Sequence, residues 1–119
     1  YSAVTAACLM VRKAVYERAG GFDEALAVDY NDIDFCLRVR EAGHHNVLLP
    51  HVQLIHHESL TRGHPCATPL GHHRHARESQ LMADRWERYL ADDPCLSPHL
   101  TAAGPGLAIC ADPPAARHR

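Results

Sequence analysis

The sequence has no apolar run approaching the roughly 20 residues that a membrane helix requires. It also opens without the charged and then apolar stretch that marks a secretory signal. Neither sign of charge is in excess, because 12 basic side chains stand against 14 acidic ones for a net charge of −2. The charge balance argues against electrostatic binding to nucleic acid or to an anionic membrane. We therefore expect a soluble protein with a substrate-sized site.

Paired cysteines are also lacking. The five cysteines are widely scattered and contain no C-x-x-C pair, which indicates neither a disulfide framework nor a zinc knuckle and favours a reducing cytosol. The cysteines are Cys8, Cys36, Cys66, Cys95 and Cys110.

With 119 residues, of which 46% are hydrophobic, the chain has the size and composition of at most one small globular domain.

The first part of the chain shows the pattern of a strand followed by a helix. Residues 3–11 mix small and β-branched apolar side chains, which predicts a buried strand. Residues 13–18 predict a short helix, and Gly20 and Gly21 follow where a left-handed C-terminal cap favours glycine. The chain starts at Tyr1 without an initiator methionine and enters the strand almost at once, so we expect the natural start to lie upstream.

The middle of the chain predicts a second helix and two short strands. Apolar positions recur at helical spacing from 31 to 42, and Gly43 follows as the end of that helix. Residues 46–49 and 52–56 have the pattern of strands, separated by Pro50, which cannot donate a central ladder hydrogen bond.

The last part of the chain predicts a loop, a third helix and a tail. Residues 61–73 contain glycines, prolines and polar side chains, which is typical of an exposed loop. Residues 75–90 predict an amphipathic helix in which Trp86 packs in the core. We expect residues 1–101 to form the folded part and residues 102–119, rich in Ala, Pro, Gly and Arg, to be a disordered tail.

Two carboxylates at the start of the second helix are candidates for acid–base chemistry. Asp32 and Asp34 lie about 200° apart around a helix axis, so both cannot face one ligand. Asp34 has Arg38 at i+4, which predicts a surface ion pair, whereas Asp32 has no charged partner at that spacing. Asp32 is therefore the better candidate. The alternative is that both acids only complement the positive end of the helix, a contribution of about 0.3–1 kcal/mol.

A histidine pair at the end of the last predicted strand is a candidate for metal binding. Side chains alternate along a strand, so only one of His56 and His57 can enter a given site. A neutral imidazole is a good ligand for a divalent metal when a second group orients it. The alternative is a hydrogen-bonded histidine at the strand end beside an exposed one.

Other polar side chains have weaker patterns. Arg62, in a glycine-flanked loop, could make a bidentate contact to a phosphate, or it could be solvated. A histidine-rich patch could bind a transition metal, but its spacing fits no zinc signature. The patch consists of His64, His72, His73 and His75.

Five segments stand in order along the chain. They are AVTAACLMVR (3–12), GGFDE (20–24), NDIDFCLR (31–38), EAG (41–43) and HHESLTRG (56–63). In this order they closely resemble the C-terminal half of family 2 glycosyltransferases, over about residues 3 to 100. The resemblance implies an α/β fold, the C-terminal part of the Rossmann-like GT-A fold, which binds a nucleotide-sugar donor with a divalent metal, Mg or Mn. The fold would be incomplete, because the N-terminal half with its Asp-x-Asp metal motif is not in this sequence.

The resemblance also implies roles for individual residues. The glycine-rich loop beside the donor sugar and acceptor corresponds to Gly20, Gly21, Phe22, Asp23 and Glu24. The acidic pair at the family's acceptor-site helix corresponds to Asn31 and Asp32. Asp32 is the implied catalytic base, and Asn31 stands where the family has a glutamate. His56 matches the histidine that helps to hold the metal or the diphosphate, and His57 remains open.

The implied reaction is inverting transfer of a sugar from a nucleotide-sugar donor to a hydroxyl of a glycan or other acceptor, in bacterial cell-surface polysaccharide synthesis. Residues 1–101 would be the acceptor-side part of the enzyme, acting in the cytoplasm or at the inner face of the membrane. We expect the isolated chain to be inactive and poorly stable. The alternative is a non-catalytic remnant, or a histidine-rich module that binds a metal or a partner.

Overall fold

The computed structural model describes residues 1–57, 68–101 and 108–110. The chain divides into two compact units, residues 1–87 and residues 88–119. In chain order the elements are a 3-10 turn at Ala6–Cys8, helices α1 (Lys13–Arg18), α2 (Asn31–Glu41) and α3 (Pro69–Ala91), and strands β1 (Leu100–Thr101) and β2 (Ala108–Ile109).

Helix α1 confirms the prediction for residues 13–18. Its C-terminal turn runs through Ala19 into two glycines with positive φ, 79° at Gly20 and 66° at Gly21. Such φ values cost glycine nothing, whereas a Cβ would clash with the backbone. The backbone N–H of Gly21 donates to the carbonyl of Tyr16 at 3.0 Å, so the turn folds back onto α1.

Gly21→Ala is expected to destabilise the protein more than Gly43→Ala. Both positions have positive φ, which costs an alanine roughly 1–2 kcal/mol. A Cβ at Gly21 would also lie 2.9 Å from the Tyr16 hydroxyl oxygen, whereas nothing lies within 4 Å of one at Gly43. That overlap adds about 1–3 kcal/mol. Urea unfolding of the two variants measures the difference, and equal losses would show that the Tyr16 ring yields without cost.

Helix α2 confirms the prediction of a helix that starts at residue 31. Acidic residues lie in its first turn and basic residues in its last turn, and both complement the helix dipole. The helix ends at Glu41, and Gly43 follows with φ 83°. Its buried side chains are Asp34, Phe35, Cys36, Leu37 and Val39.

Helix α3 is longer than the predicted helix of residues 75–90 and begins at Pro69. The Thr68 hydroxyl accepts a hydrogen bond from the N–H of Gly71 at 3.1 Å, as an N-cap does, and proline is well suited to the first helical position. The loop predicted for residues 61–73 is therefore wrong from Pro69 onward, and residues 61–67 lie outside the described residues. The backbone departs from helical geometry at Trp86 (φ −121°, ψ 23°).

The core of the first unit forms where α2, α3 and the loop between α1 and α2 meet. Three rings, Tyr16, Phe22 and Phe35, contact one another with centroids 5.2 to 5.8 Å apart. Trp86 is buried, as predicted. The buried hydrophobic side chains are Leu26, Phe35, Cys36, Leu37, Val39, Met82 and Trp86.

The predicted strands at 3–11, 46–49 and 52–56 are wrong, since residues 1–57 of the structure contain no strand. The first of them contains the 3-10 turn instead, where the N–H of Ala7 donates to the Thr5 hydroxyl. A strand needs a hydrogen-bonded neighbour, and none of the described segments supplies a ladder here. The Asn46 side chain joins its own segment to the N-terminal segment and to α2, donating to the carbonyls of Ser2 at 2.9 Å and Cys36 at 3.0 Å.

The second unit contains the antiparallel pair β1 and β2, with Leu100 opposite Ile109 and Thr101 opposite Ala108. Ala108 and Ile109 lie in the segment predicted to be a tail, whose remaining residues, apart from Cys110, are outside the described residues. The predicted boundary near residue 101 stays a prediction, as does the α/β fold class. None of the helices in the described part of the chain has the length and apolar character needed to cross a membrane.

Candidate functional site

A groove of about 310 Å³ lies beside the start of α2. It is lined by a partly exposed aromatic side chain, Phe22, together with carboxylate and amide groups. Four residues that the family resemblance assigned to donor or acceptor binding, Phe22, Asp23, Glu24 and Asn31, therefore lie on one surface. The lining residues are Phe22, Asp23, Glu24, Leu26, Ala27 and Asn31.

Gly20 and Gly21 directly precede Phe22 and do not line the groove. The guanidinium of Arg38 on α2 holds the turn, with Nη2 donating to the carbonyl of Gly21 at 2.7 Å and Nη1 donating to that of Ala19. The two glycines thus turn the chain so that Phe22 and Asp23 reach the groove.

Asp34 is the centre of a buried polar cluster. Its carboxylate is 0% exposed and accepts hydrogen bonds from Arg38 Nε at 2.8 Å, Arg85 Nη1 at 2.7 Å and Trp86 Nε1 at 2.9 Å. Burial by itself raises the pKa of the Asp34 carboxyl, but these donors, Arg85 foremost, outweigh it and hold the pKa below 3.8. The predicted Asp34–Arg38 pair is present, but the prediction that it lies on the surface is wrong.

Arg85 connects this buried cluster to the groove. Its Nη1 donates to both Asp34, at 2.7 Å, and Asp23, at 2.8 Å. The pKa of Asp23 is lowered first by the hydrogen bond from the N–H of Ala25 and then by Arg85. The hydrogen bonds to Asp34 and Asp23 in turn raise the pKa of Arg85. A carboxylate of the groove is thereby kept ionised and fixed in position.

Asp32 lies in the first turn of α2, next to Asn31. One carboxylate oxygen accepts the N–H of Ala6 at 2.9 Å, and the other accepts the N–H of Ile33 at 2.9 Å. Asp32 is not among the residues that line the groove. A carboxylate oxygen can accept more than one hydrogen bond, so Asp32 retains the capacity to receive a proton from a hydroxyl.

The described residues do not bring together the side chains predicted to hold a metal. His56 and His57 are exposed, and Arg62 lies outside the described residues. Within residues 1–57, 68–101 and 108–110, no three His, Cys, Asp or Glu side chains come close enough to hold a metal ion. The described residues therefore do not fit a metal site of their own, and no step of the chemistry is assigned to a metal.

The described histidines of the histidine-rich patch do not form a metal-binding group either. His72 and His73 are exposed, and His64 lies outside the described residues. His75 instead pairs with Asp29, its Nδ1 lying 3.2 Å from Asp29 Oδ2.

Sequence reasoning missed two charged residues on α3, Glu78 and Arg85. Glu78 stands four residues before Met82 and eight before Trp86, so it occupies the apolar face of the helix. A charged residue on the apolar face of a helix was the available signal. Charged side chains are rarely buried without a partner, so this position indicated a partner elsewhere in the fold. Arg85, next to Trp86, had no comparable signal.

Comparison with known proteins finds similarity over most of the chain. An uncharacterized protein of Sinorhizobium fredii is 46% identical over 101 residues, 84% of this chain and 11% of the relative. The O-antigen biosynthesis protein RfbC of Myxococcus xanthus is 36% identical over 106 residues, 82% of this chain and 7% of the relative. The N-acetylglucosaminyl-diphospho-decaprenol L-rhamnosyltransferase of Mycobacterium tuberculosis is 32% identical over 82 residues, 69% of this chain and 26% of the relative.

The chain thus spans about a quarter or less of the length of these curated relatives. No protein-family profile and no solved structure matches it. What the comparisons establish is that the chain is similar to a segment of much longer proteins, one of which is named as a glycosyltransferase and another for O-antigen synthesis.

Proposed function

We propose that this chain is the acceptor-side segment of a family 2 glycosyltransferase with a GT-A fold that acts in bacterial cell-surface polysaccharide synthesis. The observation that carries the proposal is the 32% identity to a named rhamnosyltransferase over 82 residues. The similarity to an O-antigen biosynthesis protein agrees with a polysaccharide product.

The groove supports the proposal chemically. Sugars present hydroxyls that donate to carboxylates and amides, and Asp23, Glu24 and Asn31 offer those acceptors. The partly exposed aromatic side chain of Phe22 can pack against the apolar face of a sugar ring. A small concave surface of this composition fits a sugar unit better than it fits a flat macromolecular partner.

In the proposed reaction, Asp32 removes the proton of an acceptor hydroxyl as that oxygen attacks the anomeric carbon of the donor. The bond from the anomeric carbon to the diphosphate breaks, and the nucleoside diphosphate leaves with the bonding electron pair. Attack from the opposite side inverts the configuration at that carbon. The two backbone N–H groups that bind Asp32 fix its orientation, which a general base requires.

Exposed apolar side chains support the proposal that this chain is a segment of a larger folded protein. A contiguous segment after α2 has most of its large hydrophobic side chains exposed, from 50% at Leu48 to 85% at Ile55. Exposed apolar surface of this kind usually marks a contact with further protein. These side chains are Val47, Leu48, Leu49, Val52, Leu54 and Ile55.

The test compares the chain alone with the complete translated product of the reading frame that encodes it. Each is incubated with a panel of nucleotide sugars, including an activated L-rhamnose, and with glycan acceptors, and release of nucleoside diphosphate is measured. We expect turnover by the complete product and none by residues 1–119 alone. Turnover by the chain alone would refute its role as a segment, and no turnover with any donor by the complete product would refute the transferase assignment.

A further inference from the structure

We propose that Glu78 is a positioning residue, which fixes the backbone just before α2 and thereby the orientation of Asn31 and Asp32. The proposal rests on the proposed function, because it assigns Glu78 a role in the same site. Glu78 does not line the groove, and it accepts hydrogen bonds from the loop before α2, so it acts through that loop.

Glu78 is fully buried and reaches across to a loop about fifty residues earlier in the chain. Its Oε2 accepts the N–H of Asp29 at 2.7 Å and that of Val28 at 3.4 Å. Its Oε1 finds no hydrogen-bond donor among the described residues, with Arg74 Nε at 3.9 Å and Arg77 Nη2 at 3.8 Å. A buried carboxylate that is only partly satisfied is costly. A purely packing role would be filled better by leucine or methionine.

The loop that Glu78 binds is conformationally strained. Tyr30 has φ 64°, which is uncommon for a residue with a bulky side chain. Its hydroxyl accepts a hydrogen bond from the Ser79 hydroxyl at 3.1 Å, so consecutive residues of α3 hold consecutive residues of the loop. Backbone strain of this kind persists only where surrounding contacts impose it, and it is frequent at functional sites.

The strained residue sets the start of α2. The carbonyl of Tyr30 accepts the N–H of Asp34 at 2.9 Å, the first hydrogen bond of the helix. Asn31 and Asp32 follow directly in the first turn, so a change at Tyr30 reorients both. Displacing a reacting group by about 1 Å can cost about 100-fold in rate.

The experiment uses the complete product with Glu78→Leu, Glu78→Gln and, as a matched control on the exposed face of α3, Glu87→Leu. Amide hydrogen exchange of residues 28–34 is measured together with kcat and KM. In E78L we expect faster exchange at these amides, and kcat and kcat/KM lowered together by about 10- to 100-fold. The glutamine carbonyl can still accept the Asp29 N–H, so E78Q should restore both, and E87L should match the unsubstituted protein.

Several results would overturn the positioning role. Unchanged exchange in E78L would do so, as would faster exchange with unchanged kcat. Low kcat in E78Q with native exchange would point to the charge of Glu78 and not to its hydrogen bonds. If E78L does not fold, Ser79→Ala removes the neighbouring contact to Tyr30 and is expected to speed exchange at residues 30–34 and lower kcat, and no effect on either would count against the proposal.

Failure of the proposed function gives a different result. If the unsubstituted product transfers no sugar, the transferase assignment falls, and the positioning role falls with it. If that product is active but E78L exchanges and turns over normally, only the role of Glu78 is lost.

Discussion

Replacing Asp32 with asparagine in the complete product is expected to lower turnover by about 100- to 10,000-fold, the usual contribution of a general base. Asparagine has nearly the same shape, and its carbonyl can still accept one of the two backbone N–H groups that Asp32 binds, from Ala6 and Ile33. It cannot take up a proton from an acceptor hydroxyl. Donor binding should therefore be largely kept while the chemical step fails.

The measurement is steady-state transfer, together with the dissociation constant of the donor. Asp84→Asn is the matched control, because Asp84 is exposed on α3 and its contact is to Gln80 on the same helix. The control should turn over normally. Unchanged turnover in D32N would eliminate Asp32 as the base, and a lost thermal transition would show that the variant acts through folding.

Asp34→Ala is expected to cost the largest amount of stability, about 3–5 kcal/mol in the free energy of unfolding. The substitution removes the shared acceptor of Arg38, Arg85 and Trp86, and it leaves two guanidinium groups facing a cavity without their carboxylate. Urea unfolding measures the loss, with Asp84→Ala as a surface control expected within about 0.5 kcal/mol of the unsubstituted protein. A similarly small loss in D34A would contradict the central role of this cluster.

The Asp34 carboxylate also makes the stability of the fold decrease at acidic pH. The pKa of Asp34 is lower in the folded protein than the ordinary 3.8, so the ionised group stabilises the fold above that pH. This contribution is lost as the pH falls below 3.8 and through the folded-state pKa. Asp34→Asn should therefore lose less stability on acidification than the unsubstituted protein, and unfolding followed between pH values of about 5 and 2 measures the difference.

Local patterns were sufficient for α1 and for the start of α2, but not for the start of α3. The boundaries of α1 and the start of α2 follow from apolar spacing, from the glycines that follow each helix and from acidic residues in the first turn of α2. All of these signals act within one or two helical turns. The N-terminal end of α3 was missed because Pro69 and Gly71 resemble loop residues, although proline is compatible with a first helical turn.

The strands could not be derived in the same way. The segments around Asn46 and Val52 have strand-like composition, but a strand exists only through hydrogen bonds to a neighbour. The described residues supply none for them, and their side chains remain exposed.

The family resemblance, and not local pattern, made Phe22, Asp23 and Asn31 candidate binding residues. By itself, the sequence determined that Asp32 lies in the first turn of a helix and that Gly20 and Gly21 end the preceding one. These are properties of chain neighbours. Only the tertiary structure decided that Asp34 is buried, that Arg85 links it to Asp23, and that Glu78 holds the loop before α2. Each of those contacts joins residues about fifty or more positions apart, and the charge of a side chain does not reveal whether a distant donor will satisfy it after burial.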